Sequence, residues 1–199
     1  MHLSHRAPSA TRNATPPTPR SARRPARQRG AALVEAAIVA PMIIVLLLGV
    51  IDFGLNLSNQ VSLRQGAREG ARQGVVANFG TTTSCGATFV VPGSANMQKL
   101  ICLTKARSDL SATTVSVAIR FDPGSTSYPA GTASPPVGNG LVVCTAAPLQ
   151  SVTKLFTPAL DGKYLKTKTV MRIEKASGVA ESQANEADPT GDNWSWCTP

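Results

Sequence analysis

The hydrophobic pattern of the chain is dominated by one apolar run, residues 36–51, which contains sixteen consecutive positions without a charge. A helix rises about 1.5 Å per residue, so this run covers about 24 Å, which is short of a hydrocarbon core of about 30 Å. The neighbouring residues are largely apolar and supply the missing length, although they include Glu35 and Asp52. We therefore predict a transmembrane helix over residues 31–57, with both carboxylates near its ends, where a charge is least costly.

Pro41 lies inside this predicted helix. It has no amide hydrogen to donate to the carbonyl of Ala37, so we expect a kink or a loose turn at this point. Membrane helices tolerate proline better than soluble ones do, and the kink is either incidental or functional.

Beyond the apolar run, the pattern predicts that the helix continues as a stalk over residues 58–80. Two sets of residues recur there at every fourth position: Gly66, Gly70 and Gly74, and Arg64, Arg68 and Arg72. Each set lies on one face of a helix, and a column of small residues lets another helix or a sheet approach closely. Each glycine also weakens the helix by about 1 kcal/mol relative to alanine. We favour helix packing by both sets in a packed stalk over the alternative, a flexible linker.

The remaining residues, 81–199, combine helical and strand patterns. Residues 95–110 have the apolar spacing of a helix, and residues 113–121 alternate between apolar and polar side chains, as a half-buried strand does. Shorter strands are predicted over residues 141–144 and 168–175. Residues 176–199 are polar and expected to be irregular, except where Cys197 fixes them. The predicted fold class is α+β, with a long N-terminal helix followed by a small antiparallel sheet domain that carries at least one more helix.

The positive charge of the chain is concentrated at its N-terminus. The net charge is +9, and residues 1–30 hold seven arginines and no acidic residue, while residues 31–199 hold 13 basic and 11 acidic residues. The part after residue 30 is close to neutral and poor in aromatic residues, so no nucleic-acid partner is expected. The composition of residues 1–30 predicts a disordered basic leader. Its arginines place the N-terminus in the cytoplasm and the C-terminal domain outside.

Four cysteines follow the apolar run: Cys85, Cys102, Cys144 and Cys197. They form no CxxC pair, and the two histidines, His2 and His5, lie in the leader, so neither a metal nor a cofactor is expected. An even number of cysteines in an exported domain predicts disulfides. We favour Cys85–Cys102 and Cys144–Cys197, although four cysteines allow three pairings and the sequence leaves all three open.

The part of the chain after the apolar run shows no catalytic constellation. It has no histidine, no GxSxG motif and no metal-ligand spacing, so we do not expect an enzyme. A cleaved secretory signal is also disfavoured. The apolar run is longer than such a signal requires, and it ends in Val50-Ile51-Asp52-Phe53, a poor site for a signal peptidase.

A resemblance to a known family lies in two segments of the predicted helix, RGAALVEAAIVAPMIIVLLLGVIDFG and SLRQGAREGARQG. Over about residues 28–75 the chain resembles the TadE-like pilus-assembly family, the minor pseudopilins of the Flp (tight-adherence) type IVb pilus system. The resemblance implies a pilin-like fold and a prepilin leader, residues 1–30. A membrane-embedded aspartyl prepilin peptidase would remove this leader by cutting between Gly30 and Ala31. The chemistry then belongs to the peptidase, and Gly30 and Glu35 are substrate determinants.

The resemblance also implies a role for Glu35 in assembly, in which its carboxylate meets the new N-terminal amine of a neighbouring subunit. The alternative is a glutamate that extends to the cytoplasmic headgroups. The implied partners are the prepilin peptidase, other pilins and pseudopilins, the Tad membrane platform and the lipid bilayer. The expected function is a minor pseudopilin or pilus-assembly subunit in the cytoplasmic membrane, whose entry into a surface pilus is left open. The competing expectation is an uncleaved, signal-anchored cell-surface binding protein.

Overall fold

The computed structural model describes residues 26–82, 84–91, 93–122 and 135–198, with the backbone alone for residues 26–29 and 91. Most of the predicted leader therefore lies outside the described residues. The chain divides into two units, Met1–Ile43 and Ile44–Pro199. The described residues of the first unit all belong to one helix. The second unit contains the rest of this helix and the other elements.

The described elements, in chain order, are α1 (Ala26–Val75), β1 (Phe89–Val91), α2 (Ala95–Arg107), β2 (Ser116–Asp122), β3 (Gly140–Pro148), α3 (Thr157–Leu160), β4 (Tyr164–Arg172), β5 (Ala184–Glu186) and a 3₁₀ turn (Ser195–Cys197). The strands form one antiparallel sheet in the order β1-β5-β2-β3-β4. This confirms the predicted α+β class, with a long N-terminal helix followed by a small antiparallel sheet and further helices.

The main hydrophobic core lies where α1 and α2 cover one face of the sheet. Its buried members on the helices are Leu63, Ala67, Ala71, Val75, Met97, Leu100 and Ile101. Its main members on the strands and the turn before β2 are Val115, Val117, Ile119, Leu141 and Val143. The last turns of α1, within the predicted stalk, thus belong to the core of the second unit.

The close approach of α1 to α2 depends on glycines. A Cβ added to Gly66 would lie 2.8 Å from both Cα and Cβ of Ser108, the residue that ends α2. A Cβ on Gly70 would clash with the side chain of Thr104, whose hydroxyl is already bonded to a carbonyl of its own helix. The backbone of α1 therefore touches α2 where no side chain fits between them.

Gly74 extends the same face to the sheet, because a Cβ there would clash with Leu100 of α2 and Leu141 of β3. The glycine set thus packs within the chain. The arginine set does not share in this packing: Arg64, Arg68 and Arg72 are exposed. Arg72 instead pairs with Glu69 on the helix surface, at 3.0 Å. Within this chain the arginine face turns away from the core, and a packing role for the arginines stays a prediction.

The strands other than β2 differ clearly from the sequence expectation: β1 was not predicted, and β4 begins four residues before the predicted 168–175. β3 covers nine residues and is longer than the predicted 141–144, because it pairs with β2 and β4 and is buried on both faces, which removes the alternation that marks strand ends. β5 lies within residues 176–199, which were expected to be irregular. Its sequence, Ala-Asn-Glu, carries no hydrophobic alternation, so periodicity does not reveal it.

A buried ion pair holds β5 in the sheet. Glu186 accepts hydrogen bonds from Lys105 Nζ at 2.6 Å, from the amide of Val117 at 2.8 Å and from the amide of Thr88 at 3.2 Å. Burial raises the pKa of the Glu186 carboxyl, against the opposing effect of the Lys105 ammonium and the amide hydrogen bonds. This carboxylate therefore joins α2, β2 and the residue before β1 around one polar centre.

We expect Gly66→Ala to lower the free energy of unfolding of the second unit by about 1–3 kcal/mol, the usual cost of overpacking. The added methyl group would press on the backbone of Ser108, which cannot turn aside as the end of a flexible side chain can. Thermal unfolding in detergent, followed by circular dichroism, measures the change.

The matched control is Gly54→Ala, since Gly54 lies on the same helix and a Cβ there meets nothing within 4 Å. In an open helical position this substitution stabilises by up to about 1 kcal/mol. Equal stabilities of the two variants would contradict the close packing at Gly66.

Candidate functional site

The predicted processing residues lie near the start of α1. Gly30 is exposed, and a Cβ added to it would meet nothing within 4 Å. Ala31 and Glu35 are also exposed, about one helical turn apart. Because α1 begins at Ala26, the Gly30–Ala31 peptide bond lies inside a helix. The structure thus places the three residues together on an accessible helix segment, with the candidate scissile bond in helical conformation.

Glu35 has no hydrogen bond or ion pair within the described part of the chain. A carboxylate in an apolar stretch is costly without a partner, so any partner it gains must come from lipid headgroups, another chain or the residues outside the described ranges. Farther along, α1 continues without interruption through Pro41. The kink at Pro41 stays a prediction.

By length and composition, α1 is the one helix in the described residues that could cross a membrane. Its most apolar window has a mean hydropathy of 2.7, and none of that window is buried inside the structure. Large apolar side chains are exposed from Leu33 to Leu57. A helix of a soluble domain would bury such a surface against its own core, so this surface calls for an apolar surrounding.

Asp52, at the end of the apolar run, makes a contact that sequence reasoning did not find. Asp52 is 3% exposed, and its carboxylate accepts four hydrogen bonds from one loop. Ser151 Oγ donates at 2.6 Å, Thr153 Oγ1 at 2.7 Å, and the amides of Val152 and Thr153 at 3.1 Å each. The sequence analysis placed Asp52 near the end of the predicted transmembrane helix, without a partner; in the structure it binds the chain about 100 residues farther on.

Asn56 strengthens this attachment from one turn along the same face. Its side-chain nitrogen donates to the carbonyl of Gln150 at 3.0 Å and to the carbonyl of Asp52 at 2.9 Å. Its side-chain oxygen accepts from the amide of Gln150 at 3.3 Å. Asp52 and Asn56 together form what we call the loop clamp. The signal in the sequence is their spacing of four, which puts two polar side chains on one helix face beside the apolar run.

The clamp holds residues 149–160 against α1 and leaves a cavity of about 370 Å³ between them. The cavity is lined mainly by apolar side chains, among them Phe53, Leu57, Leu149, Phe156, Leu160 and Leu165. The ring of Phe156 lies against α1, since a Cβ added to Gly49 would be 3.3 Å from its Cζ atom.

Two disulfides fix the ends of the sheet domain. Cys85–Cys102 ties the segment before β1 to α2, and Cys144–Cys197 ties β3 to the 3₁₀ turn near the C-terminus. This is the pairing that the sequence analysis favoured among the three possible ones. Trp194 packs beside the second disulfide and donates its Nε1 hydrogen to the carbonyl of Glu186 at 2.9 Å. The polar last segment is thereby attached to the sheet.

Near the second disulfide, the Asp188 carboxylate accepts hydrogen bonds from the turn that leads to Trp194. Hydrogen bonds from the amides of Trp194 and Thr190 and from the Thr190 hydroxyl outweigh the effect of burial and lower the pKa of the Asp188 carboxyl. Neither this carboxylate nor Glu186 belongs to a metal site. In the described residues, no group of three or more His, Cys, Asp or Glu side chains could hold a metal ion.

Comparison with known families gives a match to the N-terminal helix. Residues 30–72 match the family model described as TadE-like protein. This segment is similar to the TadE-like family. The match starts at Gly30 and includes Glu35, Asp52 and most of the glycine set, so it covers the residues that carried the resemblance. No curated protein and no solved structure matches the chain. The TadE-like family indicates a protein related to the Tad pilus, and it is not known as a family of enzymes.

We expect Asp52→Ala to release residues 151–153 from α1, because the carboxylate is the acceptor for both amides and both hydroxyls there. Hydrogen–deuterium exchange of the Val152 and Thr153 amides should become at least several-fold faster. The free energy of global unfolding should change little, because the main hydrophobic core does not include residues 151–153.

The control is Asp161→Ala, an exposed carboxylate just after α3 with no side-chain partner among the described residues. It should leave both amides protected. Unchanged exchange in Asp52→Ala would show that the loop is held by other contacts.

Proposed function

We propose that this protein is a minor pseudopilin or pilus-assembly subunit of a tight-adherence (Tad/Flp) type IVb pilus system, processed by a prepilin peptidase after Gly30. The observation that carries the proposal is the TadE-like match over residues 30–72, which begins at the residue after which the chain would be cut. The exposed position of Gly30, Ala31 and Glu35 on α1 supports it, because a partner protein needs access to all three.

In this proposal α1 crosses the cytoplasmic membrane once, with its N-terminus in the cytoplasm. The seven arginines of residues 1–30 favour that orientation, and they leave with the leader. The disulfides Cys85–Cys102 and Cys144–Cys197 support an oxidising compartment for the sheet domain. The partners are the peptidase, other pilins and pseudopilins, and the membrane platform of the pilus system.

Cleavage creates an ammonium group on Ala31. Glu35 lies about 6 Å farther along the helix axis, so the two charges of one chain differ in depth by about one helical turn. If neighbouring subunits are displaced axially by about one turn, the amine of one faces the Glu35 carboxylate of the other. A carboxylate in an apolar setting gains most from such a cation, because isolated burial of the charge is expensive.

One observation favours the alternative function, an uncleaved, signal-anchored surface binding protein. The Gly30–Ala31 bond lies four residues into α1, and a helical peptide bond is not presented to a protease. Cleavage therefore requires about the first two turns of α1 to unwind. Gly30 lowers the cost of that unwinding, since glycine is about 1 kcal/mol less favourable than alanine in a helix.

The processing step is tested by expressing the full chain with the prepilin peptidase and measuring the N-terminus by mass spectrometry. The expected product begins at Ala31. Gly30→Leu should abolish cutting, because the side chain obstructs close approach of the catalytic carboxylates, whereas Gly54→Leu, at another exposed glycine of α1, should be cut normally. An intact leader in the wild type, with a peptidase that cuts a major pilin in the same cells, supports the uncleaved anchor instead.

The assembly role of Glu35 is tested in the same cells. Glu35→Gln should be cut normally but recovered with other pilins at least about tenfold less, because the subunit amine loses its anionic partner. Glu174→Gln, at an exposed carboxylate of the sheet domain, serves as the control. Cross-linking followed by quantification of the bound pilins gives the measurement, and normal recovery of Glu35→Gln refutes the amine pairing.

A further inference from the structure

We propose that residues 149–160 form a second membrane-contacting element, which inserts into the lipid interface beside the outer end of the α1 span. We call this segment the juxtamembrane loop. The inference goes beyond the proposed pilus function, because it concerns the bilayer and not the pilus partners. It rests on the membrane span of α1 proposed above.

The position of the juxtamembrane loop is fixed by the loop clamp. Asp52 is the first charged residue after the uncharged run ends at Ile51, and it binds the loop through four hydrogen bonds. Phe156 reaches farther toward the span and lies against Gly49. Gly49 precedes Asp52 by three residues, or about 4.5 Å along the helix. Part of the loop is thus held at the depth of the apolar run itself.

The loop presents apolar side chains outward at this depth. Val152 is 65% exposed and Leu155 is 48% exposed, while the polar groups of residues 151 and 153 are used by Asp52. The neighbouring turns of α1 expose Phe53 and Leu57 as well. The loop therefore continues the apolar surface of the span, and exposed apolar patches of this kind mark a protein or membrane contact.

The cavity between the loop and α1 favours lipid as the surrounding medium. Its volume of about 370 Å³ is lined mainly by apolar side chains, and the clamp groups among them are already hydrogen-bonded. Water in such a cavity finds few polar partners, whereas an acyl chain fills it without losing hydrogen bonds. The cavity borders Gly49, Phe53 and Leu57. These residues lie at the outer end of the proposed span, where lipid would surround the helix.

The charges around the loop agree with an interfacial position. Lys154, Asp161 and Lys163 are exposed, and Lys154 lies between the two exposed apolar residues Val152 and Leu155. Long lysine side chains at a membrane surface keep the ammonium among the headgroups while apolar neighbours enter the lipid. In membrane helices, anchoring residues at the interface help to set the tilt angle. A second membrane contact beside α1 would therefore restrain the tilt of this helix.

The test uses reporters at three exposed apolar positions of the full chain. All four cysteines are in disulfides, so a single introduced cysteine can carry a nitrobenzoxadiazole dye. Leu47→Cys reports on the span, Leu155→Cys on the loop, and Val179→Cys on a remote surface of the sheet domain. Val179 is a matched control for Leu155, since the two side chains are 52% and 48% exposed. Each labelled protein is reconstituted at low density into phosphatidylcholine–phosphatidylglycerol vesicles.

We expect nitroxide-labelled lipids to quench the dye at 155 several-fold more than at 179, and aqueous iodide to do the reverse. Equal behaviour at 155 and 179, with strong lipid quenching at 47, would overturn the loop proposal while leaving the span intact. Absence of lipid quenching at 47 would overturn the span and the loop together. Protection from iodide at 155 that rises with protein density, without lipid quenching, would identify a second copy as the occupant and contradict insertion into lipid.

Discussion

The close contact between the backbones of α1 and α2 is the constraint on which the sheet domain depends. Gly66 faces the end of α2, and Gly74 faces both α2 and β3, with no room for a Cβ at either position. This contact allows Leu63 and Ala67 to enter the core with the inner face of the sheet. Three glycines would make an isolated stalk helix unstable by about 3 kcal/mol relative to alanine. Packing against the domain compensates for that weakness.

The two ends of α1 differ in what surrounds them. Its first part exposes large apolar side chains, and its last turns bury leucine, alanine and valine side chains in the core. The change occurs around Asp52 and Asn56, which are polar but face a loop of the domain and not water. Their hydrogen bonds fix one loop of the sheet domain at the end of the apolar run. The exposed apolar surface of α1 and the packing of the sheet domain are thereby linked through one continuous helix, as the pilus subunit proposed above would require.

The sequence predicted those features that depend on local spacing. The uncharged run predicted α1, and the four-residue repeat of glycines predicted its packing face. Features that depend on distant partners were missed. Asp52 binds residues about 100 positions away, and Glu186 meets Lys105 across 81 positions, so no local pattern marks either contact. β5 was missed for the same reason, because a buried ion pair and not hydrophobic alternation holds it. For the arginines, periodicity indicates a shared helix face but does not indicate whether that face is buried.

The most direct test of this account compares two soluble fragments, residues 58–199 and 81–199, refolded under oxidising conditions. Thermal unfolding followed by near-ultraviolet circular dichroism reports on packing around Trp194, which is buried in the sheet domain. If α1 supplies one wall of the core, the longer fragment unfolds cooperatively and the shorter one shows no cooperative transition. Cooperative unfolding of residues 81–199 at the same temperature as the longer fragment would contradict the central role of the α1–α2 contact.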